Sequence, residues 1–191
     1  MKAYRNFEKT KKAIRNAFIK KTTETQNIDA VTVKDLIEMA DIAKSTYYYH
    51  YKDIESLVNE ICVEIIKSLE IFLDKVKEYD GGIEKNNINT TELTKILKEN
   101  DTFFKALFNS SKTRYFVELL NELLNKRFQE ARTLTQKIID TTSIHERKIV
   151  INMLVNSITY SFVDYYNGKL DVTIEDLVSL ISNRIIPIVL V

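Results

Sequence analysis

Residues 32–54, TVKDLIEMADIAKSTYYYHYKDI, decide how the chain reads, because one short segment holds two helix patterns, a tight turn and a cluster of hydrogen-bond donors. The first helix is predicted to start after Thr32, whose hydroxyl can cap free amides, with Asp35 three residues on facing the positive end of the helix dipole. Val33, Leu36, Ile37 and Ala40 recur at helical spacing and give that helix one buried side. A turn is expected at Ala40, Asp41 and Ile42. A second helix, from about Ala43 to Tyr49, would present Lys44, Ser45, Thr46, Tyr48, Tyr49 and His50 as a surface of donors and aromatic edges. Such a helix fits a DNA major groove.

Working outward, residues 10–21 read as an earlier helix with Ala13, Ile14, Ala17 and Phe18 on one face, able to cover the two that follow. Ile28 and Val31 are the expected plugs of this small core. Asp53 can cap a fourth helix over residues 54–79, whose apolar positions include Leu57, Val58, Ile61, Ile65, Leu69, Phe72 and Val76. A break is expected at Asp80, Gly81 and Gly82, with a polar loop over residues 86–90. Further helices are predicted at 91–99, 101–109, 112–139, 144–167 and 174–186. Ser143 with Glu146, and Thr173 with Asp176, have the spacing of capping pairs, while Gly168 and Pro187 are stop signals. Three glycines and one proline in 191 residues leave few breakers, so the fold class is all-α. The expected division is a three-helix helix-turn-helix head (residues 1–55, motif about 32–51) and a helical bundle (residues 56–191), with residues 54–79 as the connecting helix.

The net charge of +1 hides an asymmetry. Residues 1–52 hold 11 Lys and Arg against 6 Asp and Glu, whereas residues 53–191 hold 17 against 21. Clustered cations on one face are what neutralising DNA phosphates requires. No apolar run approaches the roughly 20 residues that span a bilayer, and residues 1–13 lack the hydrophobic stretch of a secretory signal, so a cytoplasmic protein with no membrane partner is expected. The single cysteine, Cys62, falls on a buried helical stripe and reads as core. His50 and His145 are far apart in sequence, and no nucleophile elbow, phosphate-cradling glycine loop or Cys-x-x-Cys pair occurs. No enzyme activity, metal or cofactor is expected.

The last two predicted helices are apolar over wide stripes. Met153, Leu154 and Ile158 on one, with Leu177, Leu180, Ile181 and Ile185 on the other, need more cover than a single chain readily supplies. Pairing with their copies would close a four-helix interface with two-fold symmetry, so a homodimer is expected and these seven residues are its candidate interface.

The stretch from about Thr10 to Leu57 resembles the TetR family of bacterial transcriptional regulators. Ala13 to Phe18 is similar to the family's first helix, Thr32-Val33 with Leu36-Ile37 and Ala40 to its second, and Ile42 to Leu57 to its recognition helix and the start of its fourth. The second tyrosine of the Tyr47-Tyr48-Tyr49 run and the His50-Tyr51 pair stand at signature positions. The resemblance implies a ligand-responsive repressor that binds a palindromic operator in double-stranded DNA as a homodimer. It places Lys44, Ser45 and Thr46 near base edges or phosphate, and Tyr48, Tyr49, His50 and Lys52 on phosphate oxygens, with the Thr32 hydroxyl and the amides near Val33 adding to them. Two departures stand out: Asp41 replaces a frequent glycine in the turn, and Ile54 replaces a lysine that usually reaches phosphate. The second departure opens an alternative, a co-activator or adaptor of the same fold working through protein contact. A small apolar or aromatic effector is expected in the second domain, where Phe103, Phe104, Phe108, Tyr115, Phe116, Phe128, Tyr160, Phe162 and Tyr165 are candidates to line its pocket.

Overall fold

The computed structural model describes residues 2–78, 90–130 and 144–185, and among them all regular structure is helical, with no strand. The expected breaks at 80–82 and 86–90, the end of the 112–139 helix, the Ser143 cap and Pro187 lie outside the described residues. No helix among those described is long and apolar enough to cross a membrane.

Two compact units share the chain. The first comprises Met1–Glu64 and Asn100–Thr113, the second Ile65–Glu99 and Arg114–Val191. The first therefore runs past the expected boundary at residue 55 and recruits a later segment. It contains α1 (Lys2–Thr25), a short 3-10 turn (Ile28–Ala30), α2 (Val33–Ala40), α3 (Lys44–His50), the beginning of α4 (Ile54–Glu78), and α6 (Asp101–Phe108). The second contains the rest of α4, α5 (Thr90–Glu99), α7 (Thr113–Glu130), α8 (Ile144–Tyr166) and α9 (Ile174–Leu180), the last continuing as a π-helical segment, Ile181–Ile185.

The core of the first unit forms where the apolar stripe of α1 (Ile14, Ala17, Phe18) meets Ile28, Val31, Leu36, Tyr47, Leu57 and Val58, all buried. Each such side chain contributes on the order of 1.5–3 kcal/mol by leaving water. Helix α1 is also tied to α4 by ion pairs, Lys11 to Glu60 at 2.7 Å and Arg15 to Glu64 at 2.6 Å. Their heads are partly exposed, so each is worth about 0–1 kcal/mol. Helix α6 joins because Phe103 packs on Phe18, with ring centroids 6.4 Å apart. Beyond its end, the Ser111 amide and hydroxyl donate to the Asp29 carboxylate at 2.6 and 2.9 Å, and Lys112 pairs with Glu55 at 3.2 Å. Cys62 is buried, and that burial pushes its thiol up to about 12, so it stays protonated.

In the second unit, Arg127 on α7 reaches Glu70 at 3.1 Å and Asp74 at 2.6 Å on α4. Helices α7 and α8 meet through a polar seam in which buried Thr159 donates to Asn121 Oδ1 at 2.7 Å and Asn121 Nδ2 donates to Asn156 Oδ1 at 3.2 Å. Gly168 at φ +70 follows α8, as expected of a stop signal. Thr173 and Asp176 cap α9 reciprocally.

The candidate interface and pocket residues differ in their exposure. Of the candidate dimer residues, Leu154, Ile158, Leu177 and Ile181 are buried within the chain itself, leaving Met153 and Leu180 exposed; the side chain of Ile185 is outside those described. The nine candidate pocket residues divide between the units. Phe103, Phe104 and Phe108 are buried in the first, with Phe104 and Phe108 stacked at 5.8 Å, while the other six belong to the second. Phe116 is buried, Tyr160 is exposed, and Tyr115, Phe128, Phe162 and Tyr165 are half-buried. An open groove of about 280 Å³ lies in the first unit, lined by Ala13, Asn16, Ala17, Lys20, Met39 and Ala40.

Candidate nucleic-acid interface

The segment 32–54 is held by local hydrogen bonding at each of its junctions. At its start, the Asp35 amide donates to Thr32 Oγ1 at 3.2 Å and the Thr32 amide donates back to Asp35 Oδ2 at 2.9 Å, a reciprocal cap. At the turn, Asp41 takes the left-handed conformation, φ 51 and ψ 54, and the Ile42 amide reaches back to the Ile37 carbonyl at 3.2 Å. An aspartate tolerates that conformation better than most side chains, so the missing glycine does not prevent the turn. At its end, the Ser56 amide donates to Asp53 Oδ1 at 2.7 Å and starts α4.

Helix α3 sorts its aromatic residues by what their polar atoms can reach. Tyr47 is fully buried, and its hydroxyl donates to the Asp53 carbonyl at 3.2 Å. Tyr51, just past the helix, is buried too and donates to Glu60 Oε1 at 2.8 Å. These two anchors sit one turn apart and fix α3 against α4. Burial pushes the Tyr47 phenol up to about 12 and Tyr51 higher, so both remain protonated donors. Tyr48 and Tyr49 point the other way, 49% and 77% exposed. Lys44, one turn before Tyr48, places Nζ 6.0 Å from its ring centroid. Lys44, Ser45 and Lys52 are exposed and Thr46 is half-buried. The outer side of α3 thus carries two phenols and a cation, with Lys52 just beyond its end.

Much of the basic excess is already matched. Lys11, Arg15, Lys21 and Lys34 pair with Glu60, Glu64, Asp35 and Glu38 respectively. Lys44 and Lys52 make no such pair with the described residues.

Two expected contacts are altered by this geometry. The hydroxyl hydrogen of Thr32 goes to Asp35 Oδ2 at 2.5 Å, so the hydroxyl cannot donate to phosphate while that bond stands. Hydrogen bonds from Thr32 hold the Asp35 carboxyl below the usual carboxylate range, with Lys21 adding to the effect. The donors remaining at this helix start are the amides of Val33 and Lys34, which meet no acceptor among the described residues. His50 is half-buried with its ring 4.4 Å from that of Phe7, and its Nδ1 is buried without a partner. Burial first, then the Lys11 charge, lowers its pKa, so it is a neutral ring at neutral pH and no cation for phosphate. Ile54 is half-buried at the start of α4 and offers no donor.

Phe7 was not legible as part of this surface. It carries no motif; only its spacing of seven from Ile14 places it on the same side of α1. Among the described residues no group of His, Cys, Asp and Glu is arranged to hold a metal ion. Comparison of the chain with protein-family models, with curated proteins and with solved structures gave no match.

Proposed function

We propose that this protein is a TetR-like transcriptional regulator of the cytoplasm, in which α1 to α3 form a helix-turn-helix head and α3 is the helix that enters the major groove of double-stranded DNA. The observation that carries this reading is the outer face of α3, where Lys44, Tyr48 and Tyr49 are exposed on a helix locked from behind by Tyr47 and Tyr51. Such a rigid, donor-bearing face is suited to phosphate contact, with Lys44, Ser45 and Thr46 nearest the base edges. Lys52 supplies the second cation, and the amides of Val33 and Lys34 supply donors from α2. Repression, and a small apolar or aromatic effector held by the second unit, follow from the family resemblance.

A homodimer completes the reading, because two heads address successive major-groove faces about 34–36 Å apart. Support comes from α8, whose apolar residues occupy both sides. Ile151, Leu154, Val155 and Ile158 are buried, while Ile149, Met153 and Tyr160, four and seven residues apart, form an exposed line at 59%, 64% and 52%. That line replaces the deeper residues as the surface on which a second copy would pack. Met153→Glu is expected to convert a dimer to a monomer in sedimentation; a variant that sediments as the wild type does would exclude this face.

The test of DNA reading is selection of bound fragments from the source genome. Recovery of a palindrome that the wild type prefers by orders of magnitude supports it, and recovery of random sequence contradicts it. A second reading, an adaptor of the same fold that contacts protein, draws on three features of the phosphate set: Ile54 without a donor, the Thr32 hydroxyl bound to Asp35, and His50 uncharged. An adaptor would keep a protein partner and show no preference for any duplex.

A further inference from the structure

We propose that Phe7 is a positioning residue of the nucleic-acid face: its ring, packed at a tilt against His50 and edge-on to Tyr49, fixes the exposed Tyr49 phenol in the orientation that meets a backbone phosphate. This role rests on the duplex-binding reading given above. Tyr49 is 77% exposed near the end of a seven-residue helix, so packing alone leaves its side chain free to rotate. Among the described residues its ring meets Phe7, at 6.0 Å and 82° between planes, and His50, at 5.5 Å and 85°. Both are edge-to-face arrangements within the separation at which aromatic rings attract one another. His50 is held in turn by Phe7 at 4.4 Å and by Tyr51 at 6.4 Å. With Nδ1 unpartnered, ring packing supplies what a hydrogen bond to that atom does not.

Phe7 reaches this place because α1 begins at Lys2, about three turns before the core-packing stretch at Ile14, and extends toward the end of α3. Those added turns bury little else that is described. Their consequence is preorganisation: a side chain already ordered in the free protein does not have to be ordered on binding.

The experiment uses the full chain and its selected duplex. Phe7→Ala is expected to weaken duplex binding by about 3- to 10-fold, the range that corresponds to losing one aromatic pair. Tyr49→Phe is expected to weaken binding less in the Phe7→Ala background than in the wild type, since a disordered phenol has less to lose. Phe7→Tyr, which keeps the ring, is expected to bind as the wild type does. Proton resonances of the Tyr49 ring should move when Phe7 is removed. His50 should titrate closer to its ordinary value, with Glu8 and Lys11 on α1 and Glu60 on α4 as the charges around it. Additive losses from Phe7→Ala and Tyr49→Phe, or Tyr49 resonances that stay in place, overturn the role of Phe7. Equal losses for Phe7→Tyr and Phe7→Ala overturn it as well. A wild type that binds no duplex removes the parent reading and this role together, whereas a wild type that binds no better than Phe7→Ala removes this role alone.

Discussion

Helices α3 and α6 are of nearly equal length, both are rich in aromatic residues and both belong to the first unit, yet they meet opposite environments. In α6, DTFFKALF, Phe103, Phe104, Ala106, Leu107 and Phe108 are buried; in α3, KSTYYYH, Tyr47 alone is. The difference lies in one oxygen atom. A phenylalanine ring can enter the core wherever there is room, but a phenol taken from water without a partner costs about 1–3 kcal/mol. Tyr47 and Tyr51 go inside because the Asp53 carbonyl and the Glu60 carboxylate receive their hydroxyls. Tyr48 and Tyr49 have no such acceptor among the described residues and remain outside, 49% and 77% exposed.

The largest effect expected from this contrast is on stability. Phe104→Ala should destabilise the full chain by about 3–5 kcal/mol in urea unfolding, while Tyr49→Ala, which loses edge contacts with Phe7 and His50 but leaves no cavity, should cost about 0.5–1.5 kcal/mol. Similar losses for the two would break the contrast. Next in size is binding. Lys44→Ala combined with Tyr49→Phe should weaken duplex affinity by about 10- to 100-fold, as for losing hydrogen bonds to charged groups, with the unfolding midpoint unchanged. Unaltered affinity in that variant would detach function from this face.

Smaller still is Tyr47→Phe, which strips the Asp53 carbonyl of its phenol and should cost about 1 kcal/mol. Thr32→Ala should cost a similar amount through its cap. No change in denaturation midpoint for Tyr47→Phe would mean that the hydroxyl is not what admits the ring. The least effect is a pH dependence. The folded-state pKa of His50 is depressed, so its contribution to stability is present above the unfolded value of about 6.5 and is lost as pH falls through the folded value. Asp35 and Asp53 are depressed for their own part by the Thr32 and Ser56 hydrogen bonds, and they act lower, below the unfolded carboxylate value of about 3.9. His50→Gln should remove the upper step alone; persistence of that step in the variant would assign it elsewhere.

What could be read in advance was local. The Thr32–Asp35 and Thr173–Asp176 caps, the turn at Asp41 and the start of α4 at Asp53 all depend on residues a few positions apart, and each stands where spacing placed it. What could not be read was set by distant partners. Phe103 and Phe104 have the same apolar pattern whether they line a cavity or fill a core, and it is the distant contact of Phe103 with Phe18 that ties this helix to the first unit. Helix α1 begins at Lys2 rather than near Thr10 although residues 2–9 carry little apolar signal apart from Phe7. On the candidate face, exposure of Lys44, Tyr48, Tyr49 and Lys52 agrees with the sequence expectation. The Thr32 hydroxyl bond to Asp35 Oδ2 and the Phe7–His50 contact were not legible, because a hydrogen-bond direction and a ring partner cannot be inferred from residue type.

The central claim is that an exposed pair of cations beside two phenols engages the duplex backbone, and the slope of affinity against salt tests it most directly. Lys44 and Lys52 on each of two protomers would displace counterions at four phosphates. With about 0.9 ion released per phosphate, affinity should fall roughly 100-fold between 50 and 200 mM salt, and Lys44→Ala should halve the logarithmic slope. Affinity indifferent to salt, or a slope unchanged by Lys44→Ala, would contradict the account.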